Sequence, residues 1–175
     1  LYLSDRLIQF PMGLFGVAIA LVALPDITEL YIKKDNKNFN KTFLRGSLST
    51  LLLGLATMIF YLLFSAEIIS LLFKRGEFQE FDVAMTSASL VAYAYALPFL
   101  LNSKFFNSIF FATSKTKFVL FLGIVSLFIN LLLNYLFIFI FGMGHVGLAL
   151  ATTCAALIVW LLSIIFLIYL RKSLV

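Results

Sequence analysis

The chain has 175 residues, of which 63% are hydrophobic and 12% charged, and its mean hydropathy is +1.09. A soluble domain of this length cannot bury so much apolar surface, so the composition predicts an integral membrane protein. The net charge of +5 does not indicate a nucleic-acid partner, because the lysines and arginines lie between apolar runs. The single cysteine, Cys154, excludes a disulfide within the chain.

Five apolar segments, each near or above the roughly 20 residues that a bilayer requires, predict five transmembrane helices. They lie at 3–24, 47–66, 84–112, 118–141 and 146–170. None alternates polar and apolar residues along its length, which excludes an outer-membrane barrel and predicts an all-α helical bundle. The chain starts at Leu1 and enters a span without a visible signal peptide, so we expect it to be a piece of a longer protein.

The first segment carries a stripe of polar and small residues along one side. At 100° per residue these residues fall within roughly one 100° arc of a helix. They are Asp5, Arg6, Gln9, Gly13, Gly16, Ala20 and Ala23. A helix that faced lipid all round would not need such a stripe, so we interpret this side as the wall of a water-filled cavity.

Arg6 allows two interpretations. Near the end of a span, an arginine can snorkel to the lipid headgroups. Alternatively, it binds an anion on the cavity wall, with Asp5 and Gln9 holding its guanidinium. A guanidinium is planar, stays charged in a low dielectric and donates two parallel hydrogen bonds, so a pyrophosphate is a suitable ligand. Pro11 interrupts the helical hydrogen bonds near Leu7 and is expected to let this end of the helix bend.

Four connections join the segments. The first, 26–45, is the most polar part of the chain and is predicted to form an amphipathic or irregular surface segment. The second, 73–82, contains a glycine-centred turn, and Asp82 is predicted to cap the third helix. The third, 114–117, is short and basic. The fourth, 142–147, holds three glycines, which predicts a tight antiparallel hairpin of the last two helices.

The charges flanking the segments predict the orientation of the chain. One side has two cations, Lys74 and Arg75, whereas the other has nine. The nine are Lys33, Lys34, Lys37, Lys41, Arg45, Lys115, Lys117, Arg171 and Lys172. Because cytoplasmic loops are enriched in Lys and Arg, the side with nine cations is predicted to be cytoplasmic. The first span then runs inward, with Asp5 and Arg6 near its outer end.

The third segment is longer than a bilayer requires, at about 29 residues or roughly 43 Å, and should tilt, kink or project. Pro98 is expected to kink it. A run of polar residues follows this proline: Asn102, Ser103, Lys104, Asn107 and Ser108. Lys104 lies too deep for ordinary contact with lipid, so it either snorkels to the cytoplasmic headgroups or faces the bundle interior.

On the fourth segment, four small or polar residues share one helical face: Gly123, Ser126, Asn130 and Asn134. Asparagines at this depth are typical of hydrogen bonds between helices. The alternative is a monovalent-cation site shared with Thr152 or Thr153, although neither asparagine brings a charge. His145 lies in a glycine-rich turn without neighbouring Cys, Asp or Glu, so no metal site is predicted.

The sequence shows no catalytic signature. It has no paired intramembrane carboxylates, no nucleophile beside a base and no phosphate-binding glycine loop. An enzyme is therefore disfavoured, no cofactor is predicted, and a transporter or a non-transporting membrane scaffold remains.

Four stretches resemble one protein family. The run LSDRLIQFPMGLFGVAIALVALP, residues 3–25, is similar to the eighth transmembrane helix of MurJ/MviN lipid II flippases, where the pattern ADRL-x-x-x-P-x-G-x-x-G-x-A recurs. FKRGEF at 73–78 resembles the family's turn after its ninth helix. FFATSKTK at 110–117 and GHVGLALATT at 144–153 resemble the starts of the eleventh and twelfth helices. The order and spacing of the four agree with helices eight to twelve of the family.

The resemblance implies a two-lobed transporter of the MOP exporter superfamily that works by alternating access in the bacterial cytoplasmic membrane. It implies lipid II as the substrate, moved from the inner to the outer leaflet for cell-wall synthesis. Arg6 occupies the position of a functionally important arginine of the family. The implied partners are lipid II, membrane lipids and an N-terminal lobe outside this chain. Another MOP-superfamily exporter, for polysaccharide lipids or drugs, is the nearest alternative.

The chain departs from the family pattern at three positions. Ser4 stands where an alanine is usual, and Phe118 follows Lys117 where a proline is usual after the TKT motif. Some members of the family are thought to use a sodium site with an acidic ligand, whereas Asn134 is neutral. The resemblance therefore does not extend to a sodium site in this chain.

Overall fold

The computed structural model describes residues 1–173, which form an α-helical bundle without a strand. The helices are α1 (Tyr2–Pro11), α2 (Val17–Ile32), α3 (Asn36–Phe73), α4 (Glu80–Ala94), α5 (Leu97–Ala112), α6 (Thr116–Tyr135) and α7 (Gly144–Ser173). Two π-helical turns, Met12–Gly16 and Leu136–Ile140, follow α1 and α6. The predicted all-α helical bundle is confirmed. The side chains of Ala20, Arg171 and Lys172, which entered the sequence predictions, lie outside the described part.

Three helical stretches are long and apolar enough to cross a membrane on their own: Asn36–Phe73, Thr116–Ile140 and Gly144–Tyr169. Two more spans arise if bent pairs of helices each count as one. Tyr2–Gly16 meets Leu21–Ile32 at 44°, and Glu80–Ala94 meets Leu97–Ala112 at 45°. The total is then five, the number that the apolar segments predict.

The second bend confirms the predicted kink of the long third segment. Pro98 is the second residue of α5 and has no N–H to continue the helix from α4. The N–H of Ala96 bonds to the carbonyl of Tyr93, so the carbonyl of Ala92 loses its helical donor. The Thr153 hydroxyl of α7 donates to this carbonyl at 2.7 Å, which ties the break to a neighbouring helix.

The segment 26–45, predicted to be amphipathic or irregular, is mostly helical. The first span stays helical through Pro25 to Ile32, a three-residue turn follows, and α3 begins at Asn36. The side chains of Phe39 and Phe43, one helical turn apart, pack against an apolar cluster that contains Phe105, Phe106 and Phe110. Burial of these two rings stabilises a helix in a stretch whose polar composition left amphipathic and irregular structure open.

The predicted cap at Asp82 is also corrected. Helix α4 begins at Glu80, with Gln79 as its N-cap. The Asp82 carboxylate accepts a hydrogen bond from the backbone N–H of Gln79 at 3.0 Å, as the third helical residue of a capping box does.

The predicted hairpin of the last two helices is confirmed. Only residues 141–143 separate the π-helical turn after α6 from α7. Gly142 and Gly144 have φ values of +63° and +54°, a region that favours glycine, which accounts for the glycines of this turn.

Two apolar clusters hold the bundle together. One joins α1, α3, α4 and the start of α5 through Ile8, Tyr61, Ile69, Val83, Leu90, Ala94 and Leu97. The other joins α2, α5 and α6 through Ile27, Phe105, Phe106, Ile109, Phe110 and Leu122. Helices α3 and α5 approach closely at Gly54, where an added Cβ would lie 2.5 Å from the Cα of Pro98.

A polar group, which we call the Asn102 cluster (Ser47, Thr50, Asn102 and Trp160), connects α3, α5 and α7, and its members Thr50 and Asn102 are fully buried. The Asn102 side-chain amide donates to the Ser47 carbonyl at 2.9 Å and to the Thr50 hydroxyl at 2.7 Å. The Trp160 indole N–H donates to the Asn102 side-chain oxygen at 2.7 Å. Each polar end of the asparagine therefore has a partner, as buried polar groups require.

Candidate anion-binding site

The predicted interaction of Asp5, Arg6 and Gln9 is present in α1, and we call these three residues the Arg6 cluster. Gln9 Nε2 donates to Asp5 Oδ2 at 2.5 Å, and Arg6 Nη1 donates to Gln9 Oε1 at 3.2 Å. The guanidinium carbon of Arg6 also lies 5.0 Å from the centre of the Tyr2 ring. Arg6 and Gln9 are exposed, and Asp5 is half-buried. The guanidinium thus faces outward with donors to spare for a ligand.

The opposite face of α1 is fixed to the bundle and keeps the Arg6 cluster outward. Ser4, Ile8 and Pro11 are buried. The Ser4 hydroxyl donates to the carbonyl of Thr86 in α4 at 2.9 Å. The Tyr61 hydroxyl of α3 donates to the carbonyl of Leu7 at 2.7 Å. Sequence reasoning missed both contacts, since nothing local in the chain signals bonds to residues so far away.

The structure divides the predicted stripe of the first span. Gly13 is exposed, and a Cβ added there would meet nothing within 4 Å. Gly16 is buried, and Ala23 packs against the apolar cluster that contains Phe105, Phe106 and Phe110. The cause is the π-helical turn Met12–Gly16, whose wider winding rotates the later residues away from the face that a regular helix predicts. The interpretation as a cavity wall stays a prediction for Gly13 and Gly16, whereas Ala23 is a packing residue.

Lys104 lies beside the first span. A Cβ at Gly16 would be 3.3 Å from Lys104 Cγ and 3.5 Å from Leu101 Cδ2, so these two side chains of α5 cover Gly16. Lys104 itself is exposed. Arg6 and Gly16 are ten residues apart, which corresponds to about 15 Å along a helix. The glycine thus allows a second cation to lie against the same span, a juxtaposition that the sequence did not reveal.

The asparagines of α6 form the predicted hydrogen bonds. Asn130 Nδ2 donates to Thr152 Oγ1 of α7 at 3.1 Å, and Asn134 Nδ2 donates to Asn130 Oδ1 at 2.9 Å. Thr153 belongs to the break beyond α4 instead. The bonding between helices is therefore confirmed for Asn130, whereas the bond of Asn134 lies within α6.

A monovalent-cation site at Asn130, Asn134 and Thr152 stays a prediction. The structure brings the three residues together, and Asn134 Oδ1 is buried without a hydrogen-bond partner among the described residues. Gly123 does not join them, because it is exposed and lines an apolar surface groove with residues such as Leu120 and Leu127. The described residues include no group of three or more His, Cys, Asp or Glu that could hold a metal ion.

Taken together, the fold and the Arg6 cluster define a class: a polytopic helical membrane protein that presents an arginine suited to an anionic ligand. The whole chain, residues 1–175, matches the family model described as lipid II flippase MurJ. The chain belongs to this family of transporters, so the resemblance seen in its sequence is confirmed.

Curated relatives show the same membership. The chain is 35% identical to a probable lipid II flippase MurJ of Vibrio cholerae over 156 residues, which cover 89% of this chain and 29% of the relative. It is 33% identical to a probable lipid II flippase MurJ of Buchnera aphidicola from Acyrthosiphon pisum, over 93% of this chain and 31% of the relative. A lipid II flippase MurJ of Burkholderia cenocepacia is 28% identical over 85% of this chain and 28% of the relative. The chain thus spans about three tenths of the length of these relatives.

Proposed function

We propose that the full-length protein containing this chain is a lipid II flippase of the bacterial cytoplasmic membrane. It moves the lipid-linked peptidoglycan precursor from the inner to the outer leaflet by alternating access. The Arg6 cluster carries this proposal, because it presents a guanidinium outward from a helix whose other face is buried. Family membership supports the substrate.

Arg6 is the residue to which we assign the pyrophosphate of the lipid. Its fork donates two parallel charge-assisted hydrogen bonds to phosphate oxygens, which a lysine cannot reproduce. Gln9 links the guanidinium to Asp5 by hydrogen bonds. These bonds already restrict the rotamers of Arg6, so less side-chain entropy is lost when the ligand binds. Gly13, one turn beyond Gln9, leaves the adjoining surface open for the bulky headgroup.

Lys104 is the second cation along the proposed path. Its stem covers Gly16, which lies further along the span that carries Arg6 at its outer end. The anionic pyrophosphate of the headgroup then has a cation nearby both at Arg6 and at Lys104, while the prenyl tail stays in lipid. No covalent step is needed, and an ion gradient or the membrane potential can drive the cycle.

The test is complementation of a flippase-depleted bacterial strain by full-length variants. Arg6→Ala should abolish growth while the protein is still expressed, and Arg6→Lys should restore it only in part. Arg75→Ala is the matched control, because Arg75 is an exposed arginine in the connection before α4. Normal growth with Arg6→Ala would contradict the proposal and favour a non-transporting membrane scaffold.

A further inference from the structure

Pro11 creates a polar group that its own helix cannot satisfy. In a helix the carbonyl of Leu7 would accept the N–H of residue 11, but proline has no N–H. Both Pro11 and the neighbouring Ile8 are buried, so water does not replace the missing donor easily. The Tyr61 hydroxyl, from the middle of α3, supplies the hydrogen bond at 2.7 Å.

This contact lies directly beside the proposed binding residue. Leu7 follows Arg6 in the chain, and the Ser4–Thr86 bond lies on the other side of Arg6. The Arg6 side chain contacts Gln9 and Tyr2, which are both in α1 itself. The position of the guanidinium relative to α3 and α4 is therefore set through the backbone of α1 and not through its own side-chain contacts.

We propose that Tyr61 is a positioning residue for Arg6: its hydroxyl holds the carbonyl freed by Pro11 and thereby fixes the pose of α1. The proposal rests on the function assigned to Arg6 above. The π-helical turn Met12–Gly16 separates α1 from α2, so α1 can change its pose without moving the rest of the span. The ring of Tyr61 packs in an apolar cluster, and only its hydroxyl carries the positioning role.

A double-mutant cycle between Tyr61 and Pro11 tests this role in the full-length protein. Tyr61→Phe keeps the ring and removes the hydroxyl, and it should weaken binding of lipid II by about tenfold, the upper range for one neutral hydrogen bond. Pro11→Ala returns an N–H to residue 11, so Leu7 regains its helical donor. In the Pro11→Ala background, Tyr61→Phe should therefore change binding less than twofold.

A second measurement does not depend on the substrate. A cysteine at Gly13, where an added side chain meets nothing within 4 Å, reports the surroundings of α1 through its reaction with a membrane-impermeant thiol reagent. The other cysteines, including Cys154, are replaced in this background. Tyr61→Phe should change the labelling rate several-fold with Pro11 present and leave it unchanged with Ala at position 11. Tyr95→Phe is the matched control, because Tyr95 is an exposed tyrosine whose hydroxyl is expected to matter in neither background.

The outcomes separate this proposal from the proposed function. Equal effects of Tyr61→Phe in both backgrounds would show that the hydroxyl acts independently of the carbonyl freed by Pro11, and would overturn the inference. Unchanged labelling and binding in Tyr61→Phe would overturn it as well. If the wild-type protein does not bind lipid II but the labelling cycle is non-additive, the positioning of α1 stands and the substrate assignment fails.

Discussion

The Arg6 cluster and the Asn102 cluster are both polar groups within apolar helices, but they are built in opposite ways. Arg6 bonds to a residue three positions away in the same helix and is exposed. Asn102 bonds to residues more than 50 positions away in α3 and α7 and is completely buried. The first group has unused donors, whereas the second uses both ends of its amide.

This difference separates a binding role from a structural role. A buried, fully bonded amide has no capacity left for a ligand, and its loss leaves partners unsatisfied in a low dielectric. An exposed cluster with partners in its own helix adds little to the packing between helices. We therefore expect changes at Asn102 to reduce stability, and changes at Arg6 to reduce transport with little loss of stability.

Asn102→Leu should have the largest effect on folding. The substitution keeps the volume but leaves the Trp160 N–H without its acceptor and removes the bonds to the Ser47 carbonyl and the Thr50 hydroxyl, which should cost about 2–4 kcal/mol of unfolding free energy. Unfolding of the purified full-length protein in mixed detergent micelles would measure it. Asn107→Leu is the control, because Asn107 is in the same helix and only half-buried. A loss equal to that of Arg6→Ala would remove the distinction between the two clusters.

Gly54→Ala should have the next largest effect. The new Cβ would lie 2.5 Å from a backbone atom of Pro98, so α3 and α5 must separate near the Asn102 cluster. Overpacking of this kind costs about 1–3 kcal/mol. Gly13→Ala, beside the Arg6 cluster, is the matched control, since its Cβ meets nothing within 4 Å. The same unfolding assay should show Gly13→Ala at least as stable as the wild type, and a larger loss at Gly13 than at Gly54 would contradict the packing argument.

The sequence predicted what depends on local spacing. The bonds of Arg6 to Gln9 and of Gln9 to Asp5 follow from positions three and four residues apart on one helix. The Asn130–Thr152 bond follows from a short hairpin that pairs α6 with α7. The kink at Pro98 follows from the missing N–H.

Contacts that depend on the register between distant helices could not be predicted. No periodicity places Tyr61 against Leu7 or Trp160 against Asn102, because these pairs form only when whole helices have packed. The π-helical turn at Met12–Gly16 likewise shifted the face on which Gly16 and Ala23 lie. The polar run after Pro98 includes Asn102, but nothing in that run identifies the partners of its side chain.

The smallest effect on stability is expected at Asp35. Like the Arg6 cluster, it bonds to a residue only three positions away. Its carboxylate caps α3 and accepts the backbone N–H of Asn38 at 3.1 Å, which holds the pKa of Asp35 below its ordinary value. A carboxylate whose pKa is lower in the folded state stabilises that state at pH values above its unfolded pKa of about 3.9. This contribution is lost as the pH falls through the pKa of the folded state. Asp35→Ala should thus lower the melting temperature slightly at neutral pH and by less in strong acid, where the protonated carboxyl still caps the helix but its charge is lost.

Asp35→Asn is the control for that titration, since an asparagine can also cap the helix but does not ionise. The difference in melting temperature between Asp35→Asn and Asp35→Ala should stay constant with pH. The difference between wild type and Asp35→Ala should fall, at pH values below the folded pKa, to about the value for Asp35→Asn, because a protonated Asp35 is also a neutral cap. Asp35→Ala could instead destabilise the protein as much as Asn102→Leu does. Exposure and bonds to nearby residues would then not distinguish a group that can bind a ligand from a group that stabilises the fold. The assignment of Arg6 to the ligand would then rest on transport measurements alone.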